Sequence, residues 1–200
     1  MADKKNYRSA TGVDEFYYAI LDETGVNLIT GDINFIDYLQ TIEVEMPQEA
    51  VRAYGANKVA EIAVAAGNIS VSSAFHTLPI EDRVRLLGLE STASGLHSYG
   101  GSDNPPYVAC VFAQTYQDGS KEWVGLPKGL FLRPNISGQT KEDGVEFQPS
   151  EITAEFMDRD VEGFSDEKSV IFGKDGKGET AVRDELFQAI FGTGYPTNTP

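Results

Sequence analysis

"GNISVSSAFHTLPIEDRVRLLG", residues 67–88, holds two periodicities joined at one proline. From Ile69 the apolar side chains alternate. Ile69, Val71 and Phe75 point one way, and Ser70, Ser72, Ala74 and His76 point the other, the period-two pattern of a half-buried strand. After Pro79 the spacing changes, and Ile80, Val84 and Leu87 fall on one helical face. Pro79 suits a first helical turn, Glu81 and Asp82 suit its positive end, and Gly88 closes it. The strand pattern recurs in "QTIEVEM", where Ile42, Val44 and Met46 face inward and Thr41, Glu43 and Glu45 outward. It recurs again in "EITAEFM", with Ile152, Ala154 and Phe156 set against Glu151, Thr153 and Glu155. The fold class is therefore mostly antiparallel β, and the small, polar outer face of these strands sees bulk water, a ligand or another copy of the chain.

Working outward, "FYYAIL", "DETG" and "VNLIT" read as strand, turn, strand. "PPYVACVFAQTY" and "KEWVGLPKGLFL" flank "QDGS", whose Asp-Gly pair marks a hairpin, and "VEFQ" and "SVIF" read as short strands. A closing helix is expected over Thr180–Phe191, with Val182, Leu186 and Ile190 on one face and Gly192 as its stop. Residues 47–66 are ambiguous. Val51, Tyr54, Val59 and Ile62 approximate a helical spacing that Gly55 and Asn57 interrupt, and propensity alone leans to helix. Residues 1–15 read as a flexible arm and 192–200 as an extended, uncharged tail. Without an internal repeat or a linker, residues 16–191 form one domain.

Sixteen basic against 31 acidic residues give a net charge of −15, so no broad basic surface is available to hold phosphates. The excess of carboxylates either serves solubility or makes one surface repel a polyanion. No stretch is apolar enough to span a bilayer, and the N-terminal charges precede no apolar segment of a secretory signal. A single cysteine, Cys110, in an apolar run, leaves the fold independent of an oxidising compartment.

The chemistry-bearing patterns fall short. "GKDGKGET", residues 173–180, has the glycine spacing of a phosphate loop, but the required lysine is Glu179, which repels phosphate. It reads as a glycine-rich turn feeding a helix. "DRDVEG" opens like a calcium loop with Asp158, Asp160 and Glu162, yet the twelfth position is Ser169, leaving weak calcium binding at most. His76 and His97 with Cys110 make no convincing zinc site or nucleophile–base pair. An acid–base hydrolase would need two of Glu43, Glu45, Glu151 and Glu155 clustered in a concave pocket. The reading is of a non-enzyme with no metal and no cofactor.

Six stretches in one order, "FYYAILDETG", "QTIEVEM", "LPIEDRVRLLG", "PPYVACVF", "LPKGLF" and "TKEDGVEFQPSEITAEF", together resemble the major tail tube proteins of long-tailed, non-contractile bacteriophages. The resemblance implies a tail-tube-type antiparallel β-sandwich or barrel with a short flanking helix, a C-terminal helix, a long inter-strand loop and terminal arms. Such subunits form homohexameric rings stacked into a tube, and one sheet of each joins a barrel around a lumen through which double-stranded DNA passes, unbound, into the host. The lining would be Thr41, Glu43, Glu45, Ser70, Ser72, His76, Glu151, Thr153 and Glu155. The loop reaching an adjacent ring would be 47–66, with Pro47, Val51, Arg52, Tyr54, Gly55, Asn57 and Lys58, which overrides the helical lean. The resemblance also implies a virion location, assembly in the bacterial cytoplasm, and tape measure, tail initiator and tail terminator proteins as partners. The alternative is a soluble β-sandwich binding or decoration module of a phage particle.

Overall fold

The computed structural model describes residues 8–22, 24–25, 32–55, 58–138, 140 and 148–196. Twelve strands and two helices follow in order among them. They are β1 (Ala10–Ile20), β2 (Asn34–Ile36), β3 (Leu39–Glu45), β4 (Gln48–Gly55), β5 (Lys58–Ala66), β6 (Ile69–Phe75), α1 (Ile80–Leu87), β7 (Glu90–Ser91), β8 (His97–Ser98), β9 (Val108–Tyr116), β10 (Lys121–Phe131), β11 (Ser150–Phe156), β12 (Ile171–Asp175) and α2 (Ala181–Phe191). Every strand pairing is antiparallel. The fold is mainly β, as the alternation requires. The strand expected at 26–30, and all but the last residue of the one expected at 145–148, fall outside the described residues.

The main sheet runs β2-β1-β9-β10-β11-β6-β3, with β12 also on β10. β10 is the hinge of this arrangement. Its first half, Lys121–Gly125, lies between β9 and β12, and its second half, Gly129–Phe131, pairs with β11. The switch occurs at an irregularity between Leu126 and Gly129. Glycine is required there, because a Cβ on Gly129 would sit 2.5 Å from the Glu155 carbonyl oxygen and 2.5 Å from the Phe156 ring.

Two cores result. One lies inside the folded sheet, where Phe16, Tyr18, Phe112, Leu126, Phe131, Ile152, Phe156, Val71 and Phe75 meet Leu86 and Leu87 of α1. The other lies on the opposite face of β1, β9 and β10, where Tyr17, Val111 and Trp123 are covered by Leu186, Phe187, Ile190 and Phe191 of α2. β1 and β9 are thus buried on both faces, which is why "YVACVFA" reads as an unbroken apolar run. Burying each large side chain contributes roughly 1.5–3 kcal/mol. The consequence for function is an asymmetry: α2 covers the outer face of β1–β9–β10, and the outer face of β3–β6–β11 stays open.

Several expectations are corrected. β1 starts at Ala10, which pairs with Tyr116, so residues 10–15 belong to the sheet and not to an arm. Ile80 is half-exposed in the first turn of α1, and the buried side is formed by Leu86 and Leu87. Met46 is exposed because β3 ends at Glu45 and the chain leaves the sheet. Gly88 and Gly192 do close their helices in the left-handed region, at φ 60 and 68.

Candidate assembly surfaces

The register of β3, β6 and β11 puts their outward side chains in rows. Thr41, Ala74 and Glu151 form one row, Glu43, Ser72 and Thr153 the next, and Glu45, Ser70 and Glu155 the third. The inward positions explain why the rows face out: Val71, Ile152, Ala154 and Phe156 are buried, with Ile42 and Val44 packed against them. Ser73, an inward polar residue, is satisfied by donating to the Ile152 carbonyl at 3.2 Å. On the open face the Ser70 hydroxyl donates to Glu45 at 3.1 Å. None of Glu43, Glu45, Glu151 and Glu155 joins an ion pair among the described residues. Eight of the nine expected face residues therefore share one exposed or half-exposed acidic surface. His76 lies just past β6, at the rim. Its amide donates to the Tyr38 carbonyl at 3.0 Å, and its ring lies 6.3 Å from that of Tyr38. Tyr38 is a non-glycine residue held at φ 59 and is 70% exposed.

Residues 48–55 and 58–66 are neither helix nor irregular loop but a hairpin of β4 and β5, which among the described residues pair with each other and with no other strand. The register gives it two unlike faces. Arg52, Tyr54, Ile62 and Val64 share one, and Glu49, Val51, Ala53, Glu61, Ala63 and Ala65 share the other. Tyr54, Ile62 and Val64 are largely exposed. Alanines at both helix-like and strand-like intervals disguised the period of two. The telling signal is the "YGANK" stretch between two segments carrying β-branched residues. Of the expected loop residues, Pro47 precedes β4, Val51 sits apart from Arg52 and Tyr54, Gly55 pairs with Lys58 at the tip, and Asn57 lies outside the described residues.

A family model for phage tail tube proteins matches residues 40–196, from the start of the open face to the last described residue. The chain belongs to the phage tail tube protein family. No curated protein matches it. A tail tube protein is a structural component of the phage tail, and it assembles into the tube there. No helix among its described residues is long and apolar enough to cross a membrane.

In this tail tube protein the remaining motifs serve the fold. Asp175 accepts the amides of Val182 and Arg183, both at 2.9 Å, so the helix N-terminus that follows "GKDGKGET" already holds a carboxylate. Arg159, between Asp158 and Asp160, turns inward and donates to the Ile190 carbonyl at 2.7 Å, closing the C-terminal end of α2. Asp158, Asp160 and Glu162 lie exposed around it. Cys110 is fully buried, which pushes its thiol pKa up and away from nucleophilic use. His97 Nδ1 lies 2.7 Å from the Ser91 hydroxyl, across β7 and β8.

One site went unread in the sequence. The tail beyond α2 folds back, and Tyr195 packs on Tyr17, Trp123 and Phe187, with the Arg183 guanidinium 3.8 Å from its ring centre. The Tyr17 and Tyr195 hydroxyls lie 2.7 Å apart and both donate to Glu15, which Lys121 also reaches at 2.6 Å. Burial raises the Glu15 pKa, but bonds from Lys121, Tyr17 and Tyr195 outweigh it and hold the carboxyl below its usual range. Burial and the same carboxylate push the Tyr17 phenol up. The tail up to residue 196 is therefore pinned to β1 and not a free arm.

Proposed function

We propose that this tail tube protein forms hexameric rings stacked into the tube of a long, non-contractile tail, with the β3–β6–β11 face lining the lumen. The observation that carries this reading is the open half of the sheet: its outer face is polar, acidic and uncovered, while α2 covers the other half. Such a face suits a water-filled channel, and carboxylates repeated around each ring repel phosphates, so DNA slides without being held. The sheet also carries free edges suited to joining copies. Among the described residues β2 and β3 are the end strands of the sheet, each with no strand on its outer side. Edge-to-edge closure around a ring would remove both hazards.

In this reading the hairpin reaches the adjacent ring, and the tube conducts double-stranded DNA into the host without specific binding. Tape measure, tail initiator and tail terminator proteins are its partners by resemblance, and assembly takes place in the bacterial cytoplasm. Sedimentation and negative-stain imaging of concentrated protein, alone and with its initiator, test it. Hollow tubes of uniform diameter are expected. Protein that stays monomeric in both conditions refutes the reading and favours a decoration module.

A further inference from the structure

The half of the sheet that carries α2 holds an apolar row that runs off the subunit on one flank. Register sets Ile36, Phe16, Phe112, Val124 and Phe172 side by side across β2, β1, β9, β10 and β12, on the face away from α2. Ile36, Phe16 and Phe112 are buried and Val124 is partly buried, but Phe172 at the end of the row is 71% exposed. Among the described residues β12 pairs only with β10, so its far edge has no strand beside it. Phe164 is exposed too, and with Phe172 it lines a cavity of about 380 Å³. At the other end of the row, β2 passes into β3 through Asp37 and Tyr38 alone. The Asp37 carboxylate accepts the Tyr38 amide at 2.7 Å and fixes this corner. A left-handed backbone costs a tyrosine free energy, and a ring left in water recovers little of it within the subunit.

We infer that Phe172 of one copy packs against the Asp37–Tyr38 corner of the next copy in the same ring, an inference that rests on the ring reading above. A ring is closed by a heterologous contact, in which unlike flanks of neighbouring copies meet. Rotation about an axis along these strands carries one end of the row onto the other end of the neighbour's row. The heights agree. β2 and β12 both run toward the β9–β10 turn, so Phe172 arrives level with Ile36, and Lys174, two residues on, arrives level with Tyr38. The chemistry agrees as well. Two exposed aromatic side chains cover each other, the commonest anchor of a protein interface. Lys174 lies with its ammonium 3.3 Å from the Tyr116 ring centre and has no carboxylate partner among the described residues, and Asp37 forms no ion pair there. The joint lies in the layer under α2, apart from the open face of β3, β6 and β11.

The test assembles the double variant Tyr38→Cys with Phe172→Cys into tubes, treats them with a short bismaleimide and runs a denaturing gel. The one native cysteine, Cys110, is fully buried and stays silent. The expected product is a ladder that stops at the copy number of one ring, because every link joins two copies within it. Tubes without crosslinks, or a ladder that runs past one ring, overturn the lateral joint and leave the tube standing. If the double variant does not assemble, two other measurements decide. Phe172→Ser alters a side chain outside the core, so the monomer should keep its urea midpoint while the protein concentration needed for tubes rises about tenfold or more. In the wild type, hydrogen exchange at residues 37–39 and 171–175 should slow on assembly. An unchanged threshold or unchanged exchange overturns the joint. Wild-type protein that forms no tubes overturns the ring reading itself, and this inference falls with it.

Discussion

Replacing Glu43 and Glu155 with lysine turns two negative charges into two positive ones on the open face of every subunit. The register makes this pair the cleanest choice. Glu45 accepts a bond from Ser70, whereas neither Glu43 nor Glu155 has a hydrogen-bond or ionic partner among the described residues. Both are exposed, so each change costs the fold under about 0.5 kcal/mol. The two strands flank β6 and the two positions lie one row apart, which puts the new charges roughly 12 Å apart on the face. If the face lines the lumen, a wall that repelled phosphates now holds them. With two added contacts per engaged subunit, raising salt from about 50 to about 200 mM weakens that hold by roughly 12-fold per subunit. The expected phenotype is virions that assemble and adsorb normally, eject DNA slowly in low salt, and recover as salt rises. DNA release after receptor triggering, followed by dye fluorescence across a salt series, measures it. Normal ejection in low salt from well-formed mutant tails would refute the lumen assignment.

Replacing residues 48–66 with a two-residue turn should leave the urea midpoint of the monomer nearly unchanged, because among the described residues the hairpin pairs with no other strand, while abolishing long tubes in the electron microscope. Hydrogen exchange of that hairpin should slow on assembly, and equal rates before and after would contradict a docked hairpin. Glu15 has its pKa held below the ordinary 4.5, so its stabilisation is present above that pH and lost as pH falls through the lower folded value. The wild-type melting temperature should accordingly drop on acidification below pH 4.5, and Glu15→Gln should show a shallower drop from a lower starting point; parallel curves would refute the clasp. Gly129→Ala forces a methyl group against the Glu155 carbonyl and the Phe156 ring, and should cost about 1–3 kcal/mol in urea unfolding.

The parts of the fold that were legible are those where one physical rule acts alone. Alternation in β3, β6 and β11 placed Thr41, Glu43, Glu45, Ser70, Ser72, Glu151, Thr153 and Glu155 on one face, because one-sided burial makes the period of two visible. Glycines at 88 and 192 marked helix ends because the left-handed conformation there suits little else. Where two rules competed, the reading failed. None of the hairpin's described side chains is buried in the subunit, so nothing forced its apolar residues into a strand period, and its alanines favoured helix. Ile80 shares a helical face with Val84 and Leu87 in spacing, but the eight-residue helix buries that side only through its last turn. The Glu15–Tyr17–Tyr195 clasp joins residues some 180 positions apart, and no local pattern encodes such a contact. Asp175 carries no local signal of a helix cap, because its capping bonds reach seven and eight residues ahead, beyond the usual capping interval.

The central claim is that the open acidic face looks onto the lumen of a stacked-ring tube, and a cryo-electron reconstruction of tubes assembled from the pure protein tests it most directly. The account predicts β3, β6 and β11 in the innermost wall, with Glu43, Glu45, Glu151 and Glu155 toward the axis and α2 outside. A tube with α2 innermost, or with that face buried between rings, would contradict it.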